Sequence, residues 1–196
     1  MDDMVVRAMA KWPNVPAVFG WLRLDRRGRW WMRDELVSNP AMIAFIGRNY
    51  QSDTLGRYFF QNGPQQVFVE LETTPWVYRL AEEVTEFPHF VSHTGSSCVP
   101  DMAGIDEQGT LYLAAAGQIG CVDERDLIHV IELMTDGHGR KADDLMLASW
   151  QEGVAQAPAL FLHLTPGVRL TLQHLRAAEL AGAYLFQPLP REIGDA

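Results

Sequence analysis

The chain has little cysteine, since Cys98 and Cys121 are the only two in 196 residues. Two cysteines do not make the disulfide framework of a small secreted domain, so we expect reduced thiols. At 47% hydrophobic residues, the chain has enough apolar side chains for a packed core. No run approaches the ~20 apolar residues of a spanning helix, and residues 1–30 lack a signal-peptide core. We therefore expect no membrane partner and a cytoplasmic location.

Positive charge is also scarce and unevenly placed. The net charge is −9 and the sequence pI is about 5.0, and lysine occurs only twice against fourteen arginines. A surface of this charge argues against duplex nucleic acid as a partner, because phosphate binding needs a basic surface. Residues 1–33 depart from the average, with seven basic and three acidic side chains, a net of +4, while the remainder carries −13.

High-specificity motifs of catalysis are absent as well. The sequence has no P-loop, no dinucleotide fingerprint, no HExxH motif and no G-x-S-x-G elbow. His89, His93 and Cys98 are residue types that zinc accepts, with Asp101 and Cys121 as further candidates, but their spacing is not that of a zinc finger. We expect neither a structural metal nor a cofactor.

A short phrase occurs three times in the chain. It consists of an aspartate, a glycine three positions later and an apolar run, and it begins at Asp25, Asp53 and Asp106. Such an aspartate bonds the backbone two residues on, and the glycine accepts a positive φ. Each phrase therefore predicts a β-hairpin, with Gly28, Gly56 and Gly109 in the left-handed conformation.

The register of the first hairpin follows from the residues beside its turn. A three-residue loop closed by Gly28 makes Leu24 face Trp30 and Arg23 face Trp31. This pairing sorts the side chains cleanly, whereas a shift by one residue would mix apolar and charged residues on each face. One face then holds Leu22, Leu24, Trp30 and Met32, and the other holds Trp21, Arg23, Arg29, Trp31 and Arg33.

The remaining patterns predict an α+β fold, mainly an antiparallel sheet built from repeated hairpins with two or three short helices. Asn39 and Pro40 begin one helix, residues 143–152 and 176–180 form others, and residues 126–133 fit a helix or a strand. Residues 67–71, 160–164 and 168–172 alternate as strands, the last two joined by a loop at 165–167, and a last strand is expected near 184–186. Residues 1–10, 82–100 and 136–139 are expected to be irregular. We expect a hairpin-rich domain over 1–120 and a C-terminal section over 121–196, packed on it or separate.

The polar face of the first hairpin is the leading candidate for a binding site. Guanidinium groups over indole rings form cation–π pairs, and an arginine cluster can bind a carboxylate or a phosphate. This set, Trp21, Arg23, Arg29, Trp31 and Arg33, is called the basic–aromatic face below. It favours a binding or interaction protein without catalysis, whose partner is a small anionic ligand or a protein. The competing interpretation is a scaffold face whose arginines pair with the acidic remainder of the chain.

A second candidate is the segment from His89 to Cys98. It places possible nucleophiles, Ser96, Ser97 and Cys98, within a few residues of possible bases, which would suit a small hydrolase. Nucleophilic catalysis requires hydrogen-bond geometry that neighbours in sequence rarely supply. The hydrolase therefore stands as the alternative function, and a purely structural subunit is a third.

Several segments resemble a family of conserved proteobacterial proteins known only as a domain of unknown function. They are KWPNVP at 11–16, GWLRLDRRG at 20–28, AFIGRNY at 44–50, FFQNGPQ at 59–65 and SHTG at 92–95. The resemblance covers most of the first 120 residues and is looser in the C-terminal third. It implies no activity, cofactor or catalytic residue.

Overall fold

The computed structural model describes residues 1–13, 15–81 and 87–192. Within these ranges the chain forms five α-helices and fifteen β-strands, arranged in two mostly antiparallel sheets. The predicted α+β class is therefore confirmed. The chain divides into two compact units, and unit 1 comprises Met1–Pro75, His93–Gly95 and Ala181–Ala196, whereas unit 2 comprises Trp76–Ser92 and Ser96–Leu180.

Unit 1 contains a six-stranded sheet in the order β3-β2-β1-β6-β5-β4. Its elements are α1 Asp3–Lys11, β1 Val18–Leu24, β2 Trp30–Met32, β3 Glu35–Leu36, α2 Pro40–Arg48, β4 Tyr50–Ser52, β5 Tyr58–Asn62 and β6 Gln65–Leu71. Strands β1 and β6 pair in parallel and the other neighbours are antiparallel. Its buried side chains include Leu22, Leu24, Trp30, Ile46, Phe60 and Val69.

Unit 2 contains a nine-stranded sheet in the order β13-β14-β15-β10-β11-β12-β7-β8-β9. Its strands are β7 Trp76–Leu80, β8 Phe90–Ser92, β9 Ser97–Cys98, β10 Met102–Ile105, β11 Leu111–Ala115, β12 Gln118–Val122, β13 Met134–Asp136, β14 Leu160–Thr165 and β15 Val168–His174. The helices are a 3₁₀ turn Glu124–Asp126, α3 Leu127–Ile131 and α4 Asp144–Gln151, and α5 Ala177–Ala183 follows β15. Its core includes Phe90, Leu113, Val130, Met134, Leu160 and Leu162.

The two units repeat one topology. Read from its other edge, the order β12-β11-β10-β15-β14-β13 matches β3-β2-β1-β6-β5-β4, and both central pairs, β1 with β6 and β10 with β15, are parallel. The registers agree as well, because Leu24 pairs with Leu71 as Ile105 pairs with His174. An internal structural duplication therefore underlies the repeated hairpins, although the sequence phrase alone gave no fixed period.

The predicted turns at Asp25 and Asp106 occupy equivalent places, between β1 and β2 and between β10 and β11, and the turn at Asp53 joins β4 to β5. Gly28, Gly56 and Gly109 have φ values of 73°, 75° and 84°, which confirms the left-handed conformation. In each turn the aspartate Oδ1 accepts the backbone N–H groups two and four residues on, at 2.8–2.9 Å. The carboxylate thus fixes the loop that joins the two strands.

A fourth turn of the same kind was missed by the sequence reasoning. Asp136 Oδ1 accepts the N–H groups of His138 and Arg140 at 2.8 and 3.0 Å, and Gly139 has a φ of 80°. We expected a loop here and did not identify the aspartate turn. The signal was the arginine after the glycine, which Asp25 and Asp53 share with Asp136 and which bonds Oδ2 in all three turns.

The capping residues confirm most of the predicted helices. Asn39 Oδ1 accepts the N–H groups of Ala41 and Met42 at 2.9 and 3.2 Å, so α2 begins at Pro40 as expected. Asp143 caps α4 in the same way through Met146. The ambiguous segment 126–133 contains the helix α3, and the predicted helix at 176–180 corresponds to α5.

Three expectations for local structure were wrong. Residues 1–10 are not a frayed start, because α1 begins at Asp3 and buries Val5. The segment 82–100 contains the short strands β8 and β9, although residues 82–86 lie outside the described ranges. No strand forms at 184–186, since Leu185 has a φ of 53° and ends the extended run. The expected boundary at residue 120 falls within β12 of unit 2, and it stays a prediction.

Candidate functional site

The basic–aromatic face lies on the first hairpin of unit 1. Arg23 pairs with Trp31 and Leu24 with Trp30, which is the predicted register. Trp30 is 1% exposed and Trp21 is 46% exposed, so the apolar face points into the core and the arginine-bearing face points outward. The alternation of the strands therefore brings the five predicted residues onto one surface.

Guanidinium groups on this face pack over indole rings. The Arg33 Cζ lies 3.7 Å from the centroid of Trp21. The Cζ atoms of Arg23 and Arg29 lie 5.0 and 5.5 Å from the Trp31 centroid. These contacts use the flat faces of the guanidinium groups, so hydrogen bonds to carboxylates or other planar anions are made at their N–H edges.

Two of the arginines also have carboxylate partners within unit 1. Arg29 Nε donates to Asp25 Oδ2 at 2.7 Å, and Trp31 Nε1 donates to the same oxygen at 2.8 Å. Arg23 Nη1 lies 3.4 Å from Glu72 Oε2, and both of these side chains are more than a third exposed. The sequence anticipated pairing with acids but did not identify Asp25 or Glu72.

The carboxylate of Asp25 is almost fully buried beneath the face. Burial alone would raise its pKa, but hydrogen bonds from Trp31 and from the Arg29 and Arg27 backbone outweigh burial and lower the pKa. Asp25 therefore stays ionised and holds both Arg29 and Trp31. This carboxylate is structural, because its acceptor sites are already engaged by the turn.

Arg33 differs from the other two in its charge environment. Its φ is 53°, a left-handed conformation that is uncommon for a residue with a side chain, and its N–H donates to the Trp21 carbonyl at 2.8 Å. Within the described ranges, Arg33 makes no ion pair. The backbone thus directs one uncompensated guanidinium onto an exposed tryptophan.

The equivalent positions of unit 2 carry no arginine. By the matching registers, the face corresponds there to Met102, Gly104, Thr110, Tyr112 and Ala114. The change is clearest at one pair, because Arg23 and Glu72 correspond to Gly104 and Leu175. The Cβ of a side chain at Gly104 would lie 2.7 Å from the Leu175 side chain, so Leu175 covers this surface in unit 2.

The second candidate, the segment from His89 to Cys98, is divided between the units. Ser97 Oγ lies 3.1 Å from His89 Nε2, and both residues belong to unit 2. Cys98 is buried, and burial raises the pKa of its thiol. His93 belongs to unit 1, where its ring centroid lies 5.2 Å from Trp30 and 5.6 Å from Tyr50. The structure therefore joins one predicted base, His89, to one predicted nucleophile, Ser97, and His89 also lines a pocket with Cys98.

The imidazole of His93 is enclosed by aromatic rings, although the residue as a whole keeps some exposed surface. Its Nε2 atom is buried, and burial lowers the pKa of His93 to about 3. The ring is therefore neutral near pH 7. Across the described part of the chain, no three His, Cys, Asp or Glu residues are grouped so that they could hold a metal ion.

Comparison with known families identifies the family of the chain. A family model named DUF2944, described as "Protein of unknown function (DUF2946)", matches residues 1–191. The chain belongs to this family. Its members carry no assigned function, which agrees with the resemblance seen in the sequence, and no protein with a curated function matches the chain.

Two solved structures are similar to the chain. A DUF1285 family protein from Silicibacter pomeroyi DSS-3 matches at a TM-score of 0.52 and 16% identity, covering 92% of this chain and 98% of that one. A DUF1285 family protein from Shewanella baltica OS155 matches at a TM-score of 0.39 and 16% identity, covering 56% of this chain and 89% of that one. At this identity, the first likeness is one of fold. Among the described helices of our chain, none is long and apolar enough to cross a membrane.

Proposed function

We propose that this family member is a cytoplasmic binding protein whose basic–aromatic face holds an anionic partner, either a small ligand or an acidic segment of a protein. The observation that carries the proposal is the Arg33 guanidinium, 3.7 Å above an exposed Trp21 and without an ion pair in the described ranges. A carboxylate or phosphate beside it would receive charge-assisted hydrogen bonds from a preorganised group.

The duplication supports this interpretation over a scaffold role. Unit 2 builds the same hairpin and the same aspartate turn with uncharged residues at all five positions. The fold therefore does not require arginines on this surface. Unit 1 keeps three of them, and two tryptophans, on a surface that faces outward.

The existing ion pairs would not prevent binding. The Arg23 and Glu72 side chains are 38% and 40% exposed, and ion pairs at the surface contribute only about 0–1 kcal/mol to stability. An anion can therefore compete with Glu72 for Arg23 at little cost. Arg29 is held by the buried Asp25, so its role would be to position Trp31.

A binding experiment with charge reversals on and away from the face tests the proposal. Tryptophan fluorescence would be titrated with inorganic pyrophosphate and with a glutamate-rich peptide, at low and high salt. We expect at least one probe to bind more weakly as salt is added, because exposed Coulombic attraction is screened. Replacing Arg23 and Arg33 by Glu should weaken binding about tenfold or more and leave the melting temperature nearly unchanged.

Arg169→Glu is the control, since Arg169 lies 4.2 Å over Phe161 in unit 2, exposed and in a similar cation–π pair. Its replacement should leave binding unaltered. The scaffold role would instead be established if the protein binds neither probe and the double variant melts at a clearly lower temperature than the wild type.

A hydrolase remains the second candidate because Ser97 Oγ lies 3.1 Å from His89 Nε2. A base at this distance could take the hydroxyl proton of a nucleophilic serine. No carboxylate among the described residues bonds the other nitrogen of His89. Labelling by a fluorophosphonate probe that Ser97→Ala abolishes would support this function, and an unlabelled wild-type protein would reject it.

A further inference from the structure

Unit 2 contains a cleft of about 330 Å³ between β7, β9 and the turn after β11. Its lining includes the aromatic residues Trp76 and Tyr78 and the polar residues Ser92, Ser97 and Gln118. This volume is at the lower end of the range of about 300–1,000 Å³ that ligand sites occupy. The cleft therefore fits a single small ring rather than a chain.

A glycine leaves room for the aromatic residues of the cleft. Gly120 of β12 lies opposite Trp76 of β7, and a side chain there would come within 2.8 Å of Trp76 Cβ and 2.7 Å of Tyr78 Cδ2. Only glycine leaves room for the Tyr78 ring and the Trp76 Cβ against this strand. The Trp76 and Tyr78 side chains therefore give the cleft an aromatic wall, suited to the flat face of a ring.

The rim of the cleft contains both hydrogen-bond donors and hydrogen-bond acceptors. Ser97 Oγ shares a hydrogen bond with His89, yet a hydroxyl has one donor and two acceptor sites and retains capacity. The exposed Gln118 amide provides both a donor and an acceptor. The turn beside it is fixed, because Ala116 has a φ of 51° and its N–H donates to Asp101 Oδ2 at 3.0 Å.

Charge is absent from the lining of the cleft. None of the described residues that line it is acidic or basic. Burial raises the pKa of the Cys98 thiol, which keeps that group uncharged near pH 7 as well. A charged ligand would lose hydration here without gaining a counter-charge from the lining residues, and that loss is costly. The nearby Asp101 carboxylate already accepts the Ala116 N–H.

We propose that this cleft binds a neutral ring compound with several hydroxyl groups, of the size of a monosaccharide. The apolar face of the ring packs against Trp76, and its hydroxyl groups exchange hydrogen bonds with Ser97 and Gln118. The inference concerns unit 2 alone and does not rest on the anion site of unit 1.

Amide NMR of the full chain tests the inference with matched probes. D-glucose and myo-inositol would be titrated beside glucuronate, glucosamine and uridine, following the Gln118 side-chain amide and the Trp76 indole. Trp76→Phe assigns the indole signal. We expect saturable shifts at both groups with a neutral polyol, and weaker binding of glucuronate and glucosamine. Gln118→Ala and Ser97→Ala should each weaken binding about fivefold, as for one lost hydrogen bond.

Gln108→Ala provides the control, since Gln108 is exposed on another turn of the same unit. It should bind like the unaltered protein. The inference is overturned if no neutral polyol shifts these groups at tens of millimolar, as would occur for a cleft that holds only water. Tighter binding of uridine or of either charged sugar, or unchanged binding in both cleft variants, would also overturn it.

Discussion

Single residues at the turns determine where the strands end. The Asp25 carboxylate accepts hydrogen bonds from two backbone N–H groups and from the side chains of Arg29 and Trp31. The Asp53 carboxylate likewise accepts two backbone N–H groups. The glycine of each turn provides the left-handed conformation that closes the loop. The cost of replacing a glycine then depends on what surrounds it.

Gly56→Ala should destabilise the protein more than Gly109→Ala. Both positions have positive φ, so each alanine introduces strain of about 1 kcal/mol. A Cβ at Gly56 would also collide with the Leu185 carbonyl group, whereas at Gly109 the nearest atom is the end of the Gln151 side chain at 3.8 Å. Urea denaturation of both variants measures the difference, and equal losses would contradict the prediction.

His93 should make stability depend on pH in mildly acidic solution. Its pKa is lowered from 6.5 to about 3 in the folded protein, so below pH 6.5 the unfolded chain binds a proton that the folded chain does not. Stability should therefore fall with pH from 6.5 towards 3, by at most about 1.4 kcal/mol per pH unit.

His93→Phe should remove this slope between pH 6.5 and 4. Both proteins should still lose stability below about pH 4, because hydrogen bonds lower the pKa of Asp25 and Asp53 against the effect of burial, and their contribution is lost on protonation. Melting temperatures from pH 8 to 3 provide the measurement. A wild-type protein of constant stability from pH 7 to 4.5 would refute the assignment.

At the scale of elements, one hairpin appears in two chemical versions. In unit 1, Trp31 Nε1 donates to Asp25 Oδ2, and in unit 2 Tyr112 Oη donates to Asp106 Oδ2 at 2.9 Å. The aromatic side chain therefore supports the turn from the same position in both units. The environments differ, since Tyr112 is buried and Trp31 is partly exposed.

Tyr112→Phe should cost more stability than Trp31→Phe. Removing the Tyr112 hydroxyl leaves a buried carboxylate oxygen without this donor, at about 1–3 kcal/mol. Asp25 Oδ2 would still be bonded by Arg29 after Trp31 is replaced. Chemical denaturation of the two variants compares them, and a larger loss in Trp31→Phe would show that indole packing outweighs the hydrogen bond.

At the scale of the whole molecule, unit 1 is assembled from distant parts of the chain. Leu71 N–H donates to the Pro188 carbonyl at 2.8 Å, and Gln187 N–H donates to the Gly56 carbonyl at 2.9 Å. Residues 93–95 add His93 to the aromatic cluster of Trp30 and Tyr50. The six-stranded sheet is continuous in sequence, but the contacts that complete the unit are not.

A fragment of residues 1–75 should therefore fold poorly, although it contains every strand of the six-stranded sheet. Joining residues 180–192 to it through a flexible linker should improve amide dispersion in NMR spectra and raise the melting temperature. A linker followed by the same residues in scrambled order is the control. A cooperative transition of 1–75 alone, at the temperature of the joined fragment, would contradict the prediction.

The sequence by itself determined the local features of this protein. The α+β class, the first hairpin's register and the glycine conformations follow from alternation and turn chemistry, which act over a few residues. The same patterns gathered Trp21, Arg23, Arg29, Trp31 and Arg33 onto one surface. Because backbone geometry alone makes alternate residues share a face, no distant contact was needed for this step.

Only the tertiary structure decided how distant segments combine. The pairing of β1 with β6 brings Glu72 to Arg23, and that of β10 with β15 reveals the duplication and the closed counterpart of the face. The cleft of unit 2 likewise joins β7 and β12, which are far apart in sequence. Parallel pairings of this kind depend on the packing of whole sheets, and no short pattern of residues specifies them.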